Sequence, residues 1–295
     1  MSAGNKKTSG EKVFDLFNII FMVIAIVITL YPFWHIVMYS LSDVKLAATG
    51  GVFLWPRGFS SDTYRLVLQN GSILTGFRVS FIVTLVGTAI ATFFTATTAY
   101  PLSKGNLRGR TLFTFMIFFT MLFSGGMIPG YILVRSLGMF NTLSALIIPP
   151  AINAWNFFIM RNFFAALPDE LEESAKMDGA SDLRVFFTIV LPLSKAVMAT
   201  IALFKAVQYW NDFFSTVLYI LDRDKWALQA VLRQFISNFN VAVQQEGIDA
   251  TSNINVTPAT MTMATIVVTT LPIVMVYPFV QKYFVKGVMI GSIKG

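Results

Sequence analysis

The stretch Leu167-Pro168-Asp169-Glu170-Leu171-Glu172-Glu173-Ser174-Ala175-Lys176-Met177-Asp178-Gly179-Ala180-Ser181-Asp182, continued by Ile189-Val190-Leu191-Pro192, decides how this chain is read. It belongs to a polar island, Arg161 to Lys195, set among long apolar segments. Pro168 suits a first helical position, and Asp169, Glu170 and Glu172 sit where a helix N-terminus favours negative charge. A short helix is expected to start there. Gly179 is the natural residue for a left-handed stop, and Ser181 or Asp182 is placed to cap a second helix running toward Leu191. An isolated helix of fewer than roughly 12 to 15 residues is marginal in water. Two short helices joined at a glycine bend therefore need something to pack against.

The rest of the chain supplies the setting. Of 295 residues, 55% are hydrophobic and 13% charged, with a mean hydropathy of +0.67, which is too apolar for an ordinary soluble domain. An integral membrane protein is expected. The absence of Cys excludes disulfides and thiolate metal sites, and the single His35 excludes a histidine-rich metal cluster. A net charge of +7 could point to nucleic acid, but the basic residues fall singly or in small groups between apolar runs, as membrane-flanking anchors do. No nucleic-acid partner is expected.

Apolar runs cover about 14–39, 77–100, 112–134, 142–160, 193–220 and 261–283. The first exceeds the roughly 7 to 15 apolar residues of a signal peptide and is long enough for a hydrocarbon core about 30 Å thick, so it reads as a retained helix. The expected fold class is an all-α membrane protein with about six transmembrane helices. Lys6, Lys7, Lys12, Lys104, Arg108, Arg110, Arg161, Lys176, Arg184, Lys195, Lys282, Lys286 and Lys294 collect on one side, which is therefore read as cytosolic. This predicts a cytosolic segment 1–13, a membrane domain 14–283 with the cytosolic loop 161–192 and an external loop 222–260, and a cytosolic tail 284–295. Within the external loop, Trp226 to Phe239 has the spacing of an amphipathic helix, and Gly247 to Pro258 reads as a flexible connection.

Several chemistries are missing. There is no GxxxxGK[ST] phosphate loop, no HExxH and no GxSxG, so any energy source is expected to be another polypeptide. Lys205, near the centre of the fifth span, shares a helical face with Gln208 and Asp212 at i, i+3 and i+7, and Asn211 lies beside them. Such a face could line a water-filled path, or Lys205 could pair with a neighbouring helix or partner subunit. Lys205, Gln208 and Asn211 are the candidate translocation path. Asn153 and Asn156 are read as interhelical contacts, and His35 with Trp34 as an interfacial anchor.

Glu173-Ser174-Ala175, three residues, Gly179, nine residues, Ile189, one residue and Leu191-Pro192 resemble the EAA loop of permease subunits of ATP-binding-cassette importers, with Ser174 replacing the usual Ala. Asp178-Gly179-Ala180, Leu191-Pro192-Leu193-Ser194, Trp210-Asn211-Asp212-Phe213-Phe214 and Gln281-Lys282-Tyr283-Phe284-Val285-Lys286-Gly287 with the terminal Gly291–Gly295 are similar to the maltose-type carbohydrate uptake permeases. Phe123–Pro129 and Leu137–Thr142 resemble the LplC/YtcP-like Gram-positive branch of that family.

The resemblance implies a type I importer permease fold in a bacterial plasma membrane, with both termini cytosolic. It implies a non-catalytic permease subunit working with a second, homologous permease, two copies of a cytosolic ATPase that carries ATP and Mg, and an extracellular solute-binding lipoprotein that delivers a carbohydrate of oligosaccharide size; this chain itself binds no cofactor. The helix around Asp169 to Met177 would be the coupling helix, with Leu171, Glu173, Ser174, Ala175, Asp178, Gly179, Leu191 and Pro192 as coupling residues. Glu173 would engage a basic group of the ATPase, Leu171 and Ala175 would form its apolar stripe, and Glu170 and Glu172 would face solvent as helix-dipole partners. The tail residues Gly291, Ser292, Ile293, Lys294 and Gly295 would reach the ATPase interface. Two other readings stay open at this point: a permease for a non-sugar solute such as a polyamine or oligopeptide, and an ATP-independent channel or membrane enzyme.

Overall fold

The computed structural model describes residues 9–47, 49–246, 257 and 259–275, which group into two compact units, Met1–Gln69 with Ile236–Val268 and Asn70–Phe235 with Thr269–Gly295. In the first unit, α1 (Ser9–Ser40) has its apolar window fully exposed. A helix that is apolar all round and 32 residues long belongs in lipid. Past it come α2 (Val44–Ala47) and α3 (Asp62–Gln69), whose Tyr64 hydroxyl meets Ser40 Oγ at 2.7 Å, and Phe53 is buried with Met38 and Ala47. His35 and Tyr39 meet the Phe53 ring edge-on at 5.3 and 5.1 Å, and Trp34 Nε1 donates to Leu54 O at 2.9 Å. These aromatics pin the end of α1 to its own loop.

The second unit is built on α4 (Gly71–Ser103), whose 33 residues correspond to about 50 Å. This exceeds the hydrocarbon thickness, so both ends project into polar surroundings. The run expected as a third span is two helices, α5 (Arg110–Leu122) and α6 (Met127–Ser136), parted at Gly126, where φ is +85°. The fourth is also divided. A short α7 (Ser144–Ile147) ends before Pro149-Pro150, which cannot donate to a helical ladder, and α8 (Ala154–Ala165) restarts with Asn153 capping the Asn156 amide.

The polar island follows as α9 (Glu170–Met177), α10 (Asp182–Val185), a π turn at Phe186–Val190 and α11 (Leu191–Leu193). The chain then turns through 80° into α12 (Lys195–Asn211). A fifth span running unbroken from 193 to 220 is not what forms. Asp212 Oδ1 accepts from Ser215 N at 3.1 Å, which ends α12 and opens α13 (Phe214–Tyr219). Last come α14 (Leu228–Glu246) and α15 (Ala259–Met275). Helix α14 extends past the expected Phe239, while 247–256, 258 and 276–283 lie outside the described residues. By length and composition α1 and α4 can each cross a membrane, and the bent pair ending in α12 makes a third if counted as one span. Among the described residues there is no strand, only an isolated bridge between Ser42 and Phe59.

Helices α4 and α12 form the centre of this unit. On α4, Gly87, Ala91, Thr95 and Ala99 recur every four residues and are all buried, the small-residue pattern that lets helices approach closely in lipid. The Tyr209 ring lies where a Cβ on Gly87 would come within 2.8 Å, and its hydroxyl donates to Ile147 O at 2.7 Å. Toward the polar island, Ala96, Ala99 and Leu102 of α4 join Phe157, Met160 and Phe164 of α8, Val185, Phe186 and Val190 of the island, and Val197 and Ile201 of α12 in one buried cluster. That cluster is the partner the two short helices need.

Candidate functional site

Helix α9 ends as the sequence anticipates, and the hydrogen bonds say how. Gly179 N donates to Lys176 O and Ala180 N to Ala175 O, both at 3.0 Å, with Gly179 at φ +81°. This is a Schellman stop with glycine in the left-handed position. A Cβ on Gly179 would meet nothing within 4 Å, so the requirement is conformational and not steric. Ser181 then caps α10, its side chain accepting from Arg184 N at 3.4 Å. Lys176 Nζ bridges the bend to Asp182 at 2.8 Å; the hydrogen bond to Asp182 raises the Lys176 pKa above its ordinary value.

The inward face of α9 differs from the expectation. Glu172 does not face solvent: it is 6% exposed, accepts from Tyr100 Oη at 3.1 Å and pairs with Lys104 Nζ at 2.7 Å. The Lys104 contact is an ion pair lying off the line of an ideal hydrogen bond. Lys104 also reaches Asp169 at 3.6 Å. A buried carboxylate needs such partners because desolvation penalises its charge. Ala175, expected on the outward stripe, packs against the buried cluster beneath. Leu191 packs there as well, while Pro192 is exposed.

The outward stripe of α9 is Glu170, Glu173, Ser174 and Met177, with Leu171 at its edge; Met177 is 88% exposed. Ser174, in the place of the usual Ala, closes its hydroxyl onto Glu170 O at 2.8 Å and leaves no donor unmatched. Asp178 is the exposed C-cap residue. The loop therefore presents a mixed acidic and apolar ridge outward while Glu172 and Ala175 tie it down. Tyr100 and Lys104 were not singled out by sequence reasoning. Lys104 counted only as one flanking charge, and no local pattern links residues 72 positions apart.

The candidate path residues do not form one surface. Lys205 is fully buried, and its Nζ donates to Pro150 O at 2.5 Å and to Gln208 Oε1 at 3.2 Å. It satisfies a carbonyl at the proline break between α7 and α8, which is the helix-pairing alternative. Gln208 and Asn211 are exposed, and Asp212 serves as the cap already described. The tail residues Gly291–Gly295 lie outside the described residues.

At the other end of this unit, Asn141 organises a junction that the sequence did not announce. In left-handed conformation (φ +61°), its Oδ1 accepts from both Leu221 N and Asp222 N at 3.0 Å. Its Nδ2 donates to Asp222 at 3.0 Å, and Lys225 Nζ holds Asp222 at 2.8 Å.

Residues 102–290, which include the loop and Lys104, match the family described as binding-protein-dependent transport system inner membrane component. The chain belongs to that family. Among its relatives, Protein LplC of Bacillus subtilis is 48% identical over 288 residues, covering 98% of this chain and 97% of that protein. The polygalacturonan/rhamnogalacturonan transport system permease protein YtcP of the same organism is 43% identical, covering 97% and 99%. Among solved structures, a bacterial ABC transporter involved in the import of the acidic polysaccharide alginate superposes with a TM-score of 0.85 at 34% identity, over 95% of this chain and 99% of that one. As a permease of this family the chain is a bacterial plasma-membrane protein. Its EAA-like loop spans α9 to α11.

Proposed function

We propose that this permease imports a carbohydrate of oligosaccharide size, delivered by an extracellular binding protein and driven by two ATPase copies that dock on α9. A second permease completes the membrane path. The observation that carries the reading is the division of α9 into an inward face locked to α4 through Glu172 and an outward ridge, Glu170–Glu173–Ser174–Met177, that is exposed among the described residues. A helix held so firmly on one side and free on the other is suited to pass a push from a docked protein into the membrane helices. Family membership supports the binding protein and the energy source. YtcP and the alginate importer, both named for acidic polysaccharides, support the cargo class.

In this mechanism Glu173 meets a basic group of the ATPase, Met177 and Leu171 fill an apolar depression beside it, and Gly179 sets the angle between α9 and α10. ATP-driven closure of the ATPases moves α9, and with it α4 and α12. The tail Gly291–Gly295 reaches between the ATPases. The test is copurification and uptake with a panel of neutral and uronic-acid oligosaccharides. Glu173→Lys and Gly179→Asp are each expected to abolish uptake and weaken ATPase association while the permease still inserts. Normal association and uptake in both would overturn the reading. Deleting the tail is expected to alter substrate-stimulated ATP hydrolysis, and unchanged stimulation would remove it from the mechanism.

A further inference from the structure

We propose that the groove between α5 and α8 binds an anionic glycerophospholipid, with its phosphate between Arg110 and Arg161 and an acyl chain along Phe115, Phe118 and Phe158. The groove has a volume of about 820 Å³ and is lined by all five of these residues. Its two ends differ chemically because the helices pair in opposite directions: Arg110 opens α5 and acts on Arg161 late in α8, whereas Phe118, two turns into α5, meets Phe158 earlier in α8 with ring centroids 6.4 Å apart. Both guanidinium groups thus lie at one end and the phenyl rings at the other.

The cationic end has no carboxylate beside it among the described residues. Arg161 is held in place by Nε donating to Leu102 O at 2.9 Å and by a long 3.4 Å contact to Asn162 Oδ1, and among the described residues the other N–H groups of its fork have no acceptor. Arg110 is its like-charged neighbour. No carboxylate lines the groove, and among the described residues neither arginine has an ion pair. Two guanidinium groups lining one groove repel, and a phosphate between them turns that repulsion into two charge-assisted contacts of the fork geometry that Arg favours. Below it, an apolar slot walled by phenylalanine matches a hydrocarbon chain and offers nothing to a soluble anion.

The site lies at the end of the unit that carries Lys104 and α9. The assignment of that end to the cytosolic leaflet rests on the importer reading. In that leaflet anionic lipids concentrate, and basic pockets between membrane helices select their headgroups. A neutral lipid would gain only the slot, a free phosphate only the arginines, and a helix of the second permease would need an acidic residue at the arginine level.

The test uses the complete importer complex in nanodiscs and phosphatidylglycerol or phosphatidylcholine carrying a photoreactive acyl chain, with crosslinks mapped to peptides. Phosphatidylglycerol is expected to label Leu112–Phe118 or Phe158 about fivefold or more above phosphatidylcholine. Arg110→Gln is expected to reduce this to parity and Arg110→Lys to retain most of it. Equal labelling by the two lipids in the wild-type complex would make the groove ordinary lipid contact and overturn the proposal, without needing any variant to fold. So would loss of labelling to excess glycerol phosphate, which would indicate a free phosphate site, or absence of labelling in the complex, which would indicate the second permease. ATPase copurification is read in the same preparations and is expected to be unchanged in Arg110→Gln. Equal labelling by the two lipids in a wild-type complex that retains its ATPase would therefore sink the lipid site alone, and absence of ATPase from the wild-type preparation would sink the importer reading alone.

Discussion

Glu172 reaches two groups at the end of α4, Tyr100 Oη at 3.1 Å and Nζ of the C-cap residue Lys104 at 2.7 Å, from a position where it is 6% exposed. Removing one member strands the other, whereas replacing both with apolar groups removes the need for pairing. Glu172→Leu is expected to destabilise the purified complex by about 2 kcal/mol, less than a fully enclosed pair would lose because the Lys104 side chain keeps 21% exposure. In the Glu172→Leu, Lys104→Met double variant most of that loss is expected to return. Thermal unfolding of the four members of this cycle measures the coupling, and a coupling of zero would show that the pair is surface decoration. Gly179 poses a different demand. With open space around it and φ at +81°, an uncharged non-glycine pays only the left-handed backbone cost, about 1 to 2 kcal/mol for most residues and less for Asn, whereas Asp adds a negative charge on the face proposed to dock the ATPase. Gly179→Asn is therefore expected to retain more uptake than Gly179→Ala, an order opposite to that of side-chain volume. The reverse ranking in a transport assay would place a steric requirement, supplied by the partner, above the backbone one.

The pairing of α4 with α12 depends on Gly87, because the Tyr209 ring occupies the space of its absent Cβ. Gly87→Ala is expected to cost about 1 to 3 kcal/mol through forced displacement of that ring. In a Tyr209→Leu background the same change is expected to cost little; equal costs in both backgrounds, read from thermal unfolding, would place the strain elsewhere. The junction of Phe140–Thr142 with Leu221–Lys225 is expected to respond to acid. Hydrogen bonds from Lys225 and Asn141 lower the Asp222 pKa below its ordinary value, so its contribution is present above about pH 4 and is lost as pH falls through the depressed value. Hydrogen exchange of the Leu221 and Asp222 amides is expected to rise in that acid range in the wild type, while in Asp222→Asn the acid-dependent step should be absent. Elements with a local chemical cause were legible in the sequence: the Gly179 stop, the Ser181 cap and the long apolar α1 and α4 all follow from neighbouring residues. The breaks at Pro149-Pro150 and Asp212 were also written locally, but a continuous apolar run masked them. The Glu172–Lys104 pair and the burial of Lys205 were not legible, because each depends on which face two distant helices share, and the helical period alone leaves that open.

At the scale of the whole molecule, the importer reading makes a demand on topology that the chain is well suited to test, since it contains no Cys. Within one compact unit, Met177 stands on the outward ridge of α9 and Asp224 lies beyond α13, past the far end of α12, and both are exposed. The 17 residues of α12 alone separate the two regions by about 25 Å along its axis. If α9 is the coupling helix, these two positions must lie on opposite sides of the membrane, with Met177 facing the ATPase. Met177→Cys is expected to react with a membrane-impermeant maleimide only in inverted vesicles, and Asp224→Cys only in right-side-out ones. Bound ATPase should protect Met177→Cys and leave Asp224→Cys unaffected, because the ridge that reacts is the ridge that docks. Labelling of both positions from the same side would overturn the orientation. Labelling of Met177→Cys from the expected side but without protection by ATPase would leave the orientation standing and remove α9 as the docking surface, so the two parts of the reading fail separately.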